Sequence, residues 1–362
     1  MNRGILTALV VLGLLAAESA AQAPAPARPR DIVRTADRKI LSNITVISET
    51  PTEVRLDTTG NGKADKTLDQ NDVTEIQYDQ VPNAYRQAEA LYRVSNYDKA
   101  IQMFRQATAG GGRRWVKDYS AYYLAMCLAR KSESDPNQAP LAIRAFEDLL
   151  KNRNNRWRDD ARYQLGNLQL VKGDRAGAKT AFETLASSAH KQEMKLTASV
   201  GLADILMADK KPAEALKRYD TVVEGARGKF PDLFITATVG KAQAQTALGL
   251  FANAKAFLEG ILKTAKNKAL LAKAHTALAD CFYTEAGAVD PKEAPASYKA
   301  ALNQYLWVVV VYNNEKAEFA KALYYAGQCW KKLGDEKKAR ELFKELQSKF
   351  GATRWAAMSR RG

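Results

Sequence analysis

The sequence predicts a mainly α-helical protein, in which about seven helix pairs stack into an elongated array behind a small β domain. Three observations lead to this prediction. Residues 31–80 have a period-two pattern, residues 83–362 have a repeated helical pattern, and the chain is too long for one ordinary compact core. The composition is that of a folded chain, with 46% hydrophobic residues, 15 tyrosines and 5 tryptophans.

Residues 1–23 have the pattern of a secretory signal peptide. Arg3 provides a basic start, residues 5–17 are an apolar run, and Ala21 and Ala23 stand at the positions that a signal peptidase reads. About a dozen apolar residues are fewer than the roughly 20 that span a bilayer, so we expect cleavage rather than a membrane anchor. No cysteine is near the cleavage region. We therefore expect an exported protein that is soluble in the periplasm and carries no lipid.

A Pro/Ala linker at residues 24–30 leads into the predicted β domain at 31–80. Apolar and polar side chains alternate along 44–46 and 73–78, and the Asn61-Gly62 pair between these segments is a hairpin signal. Four or five short strands in about 50 residues correspond to a β barrel or sheet of SH3-like or Sm-like size.

From residue 83 the pattern becomes helical and repeats seven times. Each copy has a small residue in its first helix, a turn, and then Ala, followed by an aromatic residue or Leu four positions later. In the seventh copy these residues are Gly327, Ala339 and Phe343. Because a helix pair with two apolar faces cannot bury both alone, neighbouring pairs must stack. The second-helix alanines are Ala100, Ala142, Ala178, Ala215, Ala254, Ala301 and Ala339. The two longest spacings between them indicate insertions at 130–139 and 284–296, which we expect to be surface loops because they contain proline and acidic residues.

This pattern, at a period a little above 34 residues, resembles the tetratricopeptide repeat (TPR). The resemblance implies a TPR α-solenoid over residues 83–362. The segment Lys349–Ala356 is also similar to the joint between repeats in exported bacterial envelope TPR proteins of the TolA-binding and outer-membrane-assembly type. An Arg-Trp pair recurs before a helix start at Arg114-Trp115, Arg156-Trp157 and Arg354-Trp355.

In TPR arrays the first helices line the concave surface, so the resemblance picks out one face as a partner-binding groove. Tyrosines recur at one register of this face, and tyrosine suits interfaces because it combines apolar area with a polar tip. Tyrosines half-buried between stacked helices are equally ordinary, so packing is the alternative. The implied groove consists of Tyr85, Glu89, Tyr92, Arg93, Tyr122, Met126, Arg130, Tyr163, Asn167, Asp204, Gln243, Asp280, Tyr283, Tyr324 and Gln328.

The three cysteines occupy one slot of the repeat. Cys127, Cys281 and Cys329 each lie two residues after the small residue of a first helix, and other copies have small or aliphatic residues there. We therefore expect buried free thiols that pack as small hydrophobes. The alternatives are a Cys281–Cys329 disulfide between neighbouring first helices, whose axes are roughly 8–10 Å apart, and metal or redox chemistry.

The sequence predicts no catalytic residue, cofactor or metal site. The two histidines, His190 and His275, have no cysteine or second histidine at helical spacing, and no nucleophile or phosphate-loop motif is present. Residues 57–65 resemble a calcium loop, but Leu68 stands where the bidentate acid belongs. A hairpin turn is therefore the main interpretation of this segment, and weak calcium binding is the alternative.

The positive charge lies on the repeats. The chain has a net charge of +15, while residues 24–82 contain 8 basic and 10 acidic side chains. A solvated helical exterior explains much of this charge, and a basic surface that attracts an acidic partner is the functional alternative.

These patterns predict a non-catalytic scaffold or adaptor of the bacterial cell envelope, which binds an extended peptide or a helix of another protein along the concave groove. The alternative is a binding protein for an anionic cell-wall or envelope polymer, held by the basic surface. Export and the lack of a recognition motif argue against nucleic acid. No later segment is long and apolar enough to span a membrane.

Overall fold

The computed structural model describes residues 28–133 and 135–361, without the side chain of Pro136. The predicted signal peptide and most of the linker lie outside the described residues. Among the helices that are described, none combines the length and the apolar character that crossing a bilayer requires.

The β domain is a single antiparallel sheet of five strands in the order β4-β3-β2-β1-β5. Its core consists of alternate residues such as Val33, Val46 and Leu56, which are buried because every second side chain points to the same side of a strand. The strands are β1 (Asp31–Thr35), β2 (Ile40–Glu49), β3 (Glu53–Asp57), β4 (Lys66–Asp69) and β5 (Val73–Gln77).

The segment that resembles a calcium loop is the turn between β3 and β4. Both oxygens of the Asp57 carboxylate accept backbone N–H groups, from Gly60 at 2.5 Å and from Gly62 at 2.8 Å. Asp65 accepts the N–H groups of Thr58 and Thr59. The carboxylates therefore satisfy the backbone of the turn, as the hairpin interpretation expects.

The array contains seven helix pairs and a short terminal helix, which confirms the predicted solenoid. The second helix of each pair packs on the helix that follows it, which is the first helix of the next pair or α15. The helices are α1 (Asn83–Arg93), α2 (Tyr97–Ala109), α3 (Arg114–Ser132), α4 (Ala139–Leu150), α5 (Arg158–Val171), α6 (Arg175–Ser188), α7 (Gln192–Ala208), α8 (Pro212–Ala226), α9 (Pro231–Ala247), α10 (Phe251–Thr264), α11 (Lys268–Ala286), α12 (Ala294–Val311), α13 (Lys316–Lys332), α14 (Glu336–Phe350) and α15 (Arg354–Ser359).

The repeat residues make the core of the array. All seven second-helix alanines are fully buried, and the large side chains four positions later, such as Phe104, Phe182 and Tyr305, also belong to the buried core. The ring of Phe182 lies against two glycines, since a Cβ placed on Gly166 or on Gly201 would be 2.7 Å from ring carbons. A first-helix position without a side chain therefore makes room for the aromatic residue of the second helix.

The two insertions are more helical than the sequence predicted. We expected surface loops at 130–139 and 284–296, but α3 continues to Ser132, α11 continues to Ala286, and α12 already begins at Ala294. Pro140 and Pro295 do not interrupt these segments, because each stands in the first turn of a helix, where a proline leaves no hydrogen bond unmade.

Candidate partner-binding face

We call the surface formed by the odd-numbered helices, which are the first helices of the repeats and α15, the first-helix face. A cavity of about 420 Å³ opens on this face. It is lined by residues of α7, α9, α11, α13 and α15, and by none of the described second helices. Because five alternate helices reach one cavity, the array curves around it, and the first-helix face is concave here.

Acidic, basic and neutral polar side chains line this cavity. Asp204 and Gln243, two of the predicted groove residues, are exposed in it, together with Lys273 and Arg354. Asp204 is open to solvent yet surrounded by protein on several sides, and the loss of hydration raises its pKa. Its carboxylate accepts a hydrogen bond from the Tyr219 hydroxyl.

Asp280, a third predicted groove residue, lies at the edge of this cavity in a small network. Its carboxylate accepts hydrogen bonds from the Tyr305 hydroxyl at 2.7 Å and from the Lys321 ammonium at 2.5 Å. Lys321 lines the cavity itself. The network therefore fixes a lysine at the rim and uses both oxygens of Asp280.

The predicted residues of the first three repeats lie apart from this cavity. Glu89 and Arg93 form an ion pair of 3.1 Å on α1, and Arg130 forms an ion pair of 2.9 Å with Glu133. The ring of Tyr92 packs on other aromatic rings. Four further predicted residues, two of them in later repeats, are half-buried: Tyr163 and Asn167 on α5, Tyr283 on α11 and Gln328 on α13.

Four of the predicted groove residues are buried in the core: Tyr85, Tyr122, Met126 and Tyr324. Their burial agrees with packing, the alternative that the sequence left open for the tyrosines. A tryptophan at the beginning of the following odd-numbered helix covers each tyrosine, with ring-centre distances of 5.1 Å for Trp115 on Tyr85 and 4.5 Å for Trp157 on Tyr122. For Trp355 on Tyr324 the distance is 5.6 Å. The recurring Arg-Trp pairs are the sequence signal of these contacts.

The β domain packs against the beginnings of three successive first helices. At α3, the Arg113 guanidinium donates to both carboxylate oxygens of Asp31, at 2.7 and 2.5 Å. The ring of Tyr78 stacks on Trp115 with centres 4.1 Å apart. This contact between residues that are far apart in sequence is a feature that sequence reasoning did not find.

Glu49, at the end of β2, is the centre of this interface. Its carboxylate accepts hydrogen bonds from the hydroxyls of Tyr119, at 3.1 Å, and of Tyr78, and it forms an ion pair of 3.3 Å with Arg156 just before α5. Burial raises the pKa of Glu49 to about 7, although the charge of Arg156 and the hydrogen bond of Tyr119 act in the opposite direction.

The third contact joins β4 to the start of α7. The His190 ring lies 2.8 Å from a carboxylate oxygen of Asp69. The other histidine, His275, stacks on Trp307 and bonds to Gln304 at 2.8 Å, and burial lowers its pKa. Neither histidine belongs to a metal-binding cluster, and among the described residues no group of three or more His, Cys, Asp or Glu side chains has that geometry.

The three cysteines are buried free thiols, as predicted. Burial raises the pKa of Cys127 and of Cys329 to about 12, and it also raises the pKa of Cys281. Thiols that remain protonated and buried contribute to packing.

Comparison with known proteins gives two family matches and no curated relative. The model of a tetratricopeptide repeat-like domain matches residues 113–230, and the model of a tetratricopeptide repeat matches residues 321–353. No curated protein matches the chain. Neither model is specific to the TolA-binding or outer-membrane-assembly type, so that finer similarity stays a prediction.

Three solved structures are similar to the chain at low sequence identity. A tetratricopeptide repeat protein from Parabacteroides merdae is 12% identical, with a TM-score of 0.56, and the alignment covers 77% of this chain and 96% of that one. A Rap protein complexed with competence and sporulation factor is 14% identical, with a TM-score of 0.51 and 76% of each chain covered. PilW, a type IV pilus biogenesis factor, is 20% identical, with a TM-score of 0.44 and coverage of 65% and 96%. The chain therefore contains tetratricopeptide-repeat segments at 113–230 and 321–353, within a helical array that has a five-stranded β domain docked at its start.

Proposed function

We propose that this protein is a non-catalytic scaffold of the bacterial cell envelope, which binds an extended segment or a helix of another protein along the first-helix face. The observation that carries the proposal is the cavity of about 420 Å³ to which four first helices and α15 contribute. A concave surface with exposed polar groups of both signs suits a polypeptide, whose backbone offers donors and acceptors and whose side chains offer both charges.

The chemistry of the cavity supports binding rather than catalysis. Lys321 is held by Asp280, and Asp204 accepts a hydrogen bond from Tyr219. These contacts fix the positions of charged groups, but they do not bring an acid, a base and a nucleophile together. A solved structure of the same fold also supports the proposal, since the Rap protein was crystallised with competence and sporulation factor.

The place of action in this proposal is the periplasm. The support is the signal-peptide pattern of residues 1–23 and the Pro/Ala linker that follows it. Fractionation of cells that produce the full chain or a chain lacking residues 2–23 tests this part. We expect the full chain in the periplasmic fraction and the shortened chain in the cytoplasm. An equal distribution of the two forms would refute export.

A photo-crosslinking amino acid at two matched positions tests the binding face. Gln243 lies in the cavity on α9, and Glu259 is exposed on the second helix α10. We expect ultraviolet irradiation of living cells to give a discrete protein adduct from position 243 and none of that size from position 259. Adducts that form only from position 259 would place the binding surface on the other side of the array.

A further inference from the structure

Two joints of the array are built from the same set of aromatic rings. At the first joint Trp157 packs on the adjacent tyrosines of α3, Tyr122 and Tyr123, with ring centres 4.5 and 6.0 Å away. At the second joint Trp355 packs on the adjacent tyrosines Tyr324 and Tyr325 of α13, at 5.6 and 5.5 Å. The two sites are therefore structural copies within one chain.

The arginine before each tryptophan takes the same position in both copies. The guanidinium carbon of Arg156 lies 4.4 Å from the ring centre of Trp157, and that of Arg354 lies 4.1 Å from the ring centre of Trp355. One turn before the tyrosine pair, Tyr119 stands on α3 and Lys321 stands on α13. Each joint thus has an arginine on an aromatic face and a hydrogen-bond donor beside it.

In the first copy this corner holds a carboxylate of the chain itself. Glu49 accepts the hydroxyl hydrogen of Tyr119 at 3.1 Å and pairs with Arg156 at 3.3 Å. Its side chain is almost completely removed from solvent. The corner is therefore shaped to receive a glutamate, which reaches it from the end of an extended strand.

In the second copy the corner is open. We call Lys321, Arg354 and Trp355 the Arg354 corner; all three line the cavity of the first-helix face. Arg354 is exposed and forms no ion pair with a described carboxylate, whereas Lys321 has Asp280 as a partner. Both side chains are long donors with hydrogen-bonding capacity beyond these contacts.

Three acids border the Arg354 corner, and two of them are engaged. Asp280 is bonded to Lys321 and Tyr305, and Asp204 is bonded to Tyr219. The third acid is Glu318, which is half-buried and lines the cavity. Lys273, from the neighbouring α11, adds an exposed ammonium group.

We propose that the Arg354 corner binds an acidic side chain of the partner polypeptide, in the position that Glu49 occupies at the first joint. The inference rests on the proposed function and specifies which group of the partner is bound. This group is the carboxylate of a glutamate or aspartate in an extended segment. The carboxylate receives donors from Arg354 and Lys321, and the excess of basic residues on the repeats attracts acidic partners from a distance.

The test uses a peptide that copies the segment already bound at the first joint. The probe is residues 44–52 of this chain, acetylated and amidated at its ends, so that Glu49 is its single charged group. A matched peptide carries Glu49→Gln. Binding is measured on the full mature protein through the indole NMR signal of Trp355, which a Trp355→Phe variant assigns.

We expect the glutamate peptide to shift the Trp355 signal and the glutamine peptide to bind at least tenfold more weakly. Arg354→Gln weakens binding of the glutamate peptide at least tenfold, while Lys344→Gln, the same charge change on the exposed side of α14, leaves it within twofold. Glu318→Gln strengthens binding, because it removes an acid that competes for the same donors.

Several results overturn the inference. These are an unshifted Trp355 signal, equal binding of the glutamate and glutamine peptides, and equal losses of affinity in Arg354→Gln and Lys344→Gln. The inference also fails if a glutamine peptide with a free C-terminal carboxylate binds as strongly as the amidated glutamate peptide. The broader proposal is tested separately. If the adduct at position 243 persists in the Arg354→Gln variant with undiminished yield, the first-helix face still binds a partner, but without this carboxylate contact.

Discussion

Substitution of one glycine against the ring of Phe182 tests how the repeats pack. Phe182 is fully buried between α5 and α7, where a Cβ added to Gly166 or to Gly201 would lie 2.7 Å from ring carbons. Carbon atoms in favourable contact are about 3.5–4.0 Å apart. In Gly201→Ala the ring must therefore move by about an ångström toward α5, and the equally close Gly166 backbone prevents this movement.

The expected cost follows from these distances. Inserting a methyl group into a packed core lowers the free energy of unfolding by about 1–3 kcal/mol. Replacing a helical glycine by alanine raises it by up to about 1 kcal/mol. We expect Gly201→Ala to lower the free energy of unfolding by roughly 1–2 kcal/mol. Gly260 on α10 is the matched control, because a Cβ there would meet no atom within 4 Å. Gly260→Ala should stabilise by about 0.5–1 kcal/mol.

Urea unfolding followed by circular dichroism measures both effects as shifts of the midpoint. The double variant Gly201→Ala with Phe182→Leu adds a second comparison, because the smaller side chain leaves room for the new methyl group. We expect Phe182→Leu to cost less in the Gly201→Ala background than in the original chain. Equal midpoint shifts in the same direction for Gly201→Ala and Gly260→Ala would show that the ring of Phe182 does not restrict position 201.

Two further predictions concern buried titratable groups. The pKa of Glu49 is about 7 in the folded chain and 4.5 in the unfolded reference. Folded protein therefore binds the proton more tightly, and the free energy of unfolding should fall by up to roughly 3 kcal/mol as pH rises through this window. Glu49→Gln should abolish this decrease in the free energy of unfolding. The prediction is wrong if the urea midpoints of Glu49→Gln depend on pH in the same way as those of the original chain. Because Cys127, Cys281 and Cys329 are buried thiols, a thiol reagent at pH 8 should modify none of them in minutes and all of them in denaturant. Rapid labelling of the native protein would show that the core is open.

The sequence predicted the features that depend on the spacing of residues close together in the chain. Ala178 and Phe182 are four residues apart and lie on one face of a helix, so the repeat and its buried core could be read from the sequence. The cysteine slot could be read in the same way, because Cys127 and Cys329 share a register with apolar residues of other repeats.

The contacts that the sequence did not predict join residues of different elements. The ion pair of Arg113 with Asp31 spans 82 positions, and that of Arg156 with Glu49 joins the β domain to the third repeat. Nothing in the spacing of either residue specifies such a partner. Tyr122 was assigned to the groove for the same reason, since its burial depends on Trp157 from the following repeat.

The helix ends were predicted less well than the core. The segments near Pro140 and Pro295 contain proline and acidic residues, which favoured loops, yet both prolines stand in the first turn of a helix. In that position proline costs nothing, because the first N–H groups of a helix have no partner within it.

Filling the cavity of the first-helix face tests the central claim most directly. Once the crosslinked partner has been identified, its affinity is measured by calorimetry for the original protein, for Gln243→Trp in the cavity and for Glu259→Trp on the second-helix side. An indole inside the cavity takes the space of the partner segment. We therefore expect the affinity to fall at least about tenfold for Gln243→Trp, or about 1.4 kcal/mol, and to stay unchanged for Glu259→Trp. Unchanged affinity in Gln243→Trp, with circular dichroism showing an intact fold, would contradict binding at this face.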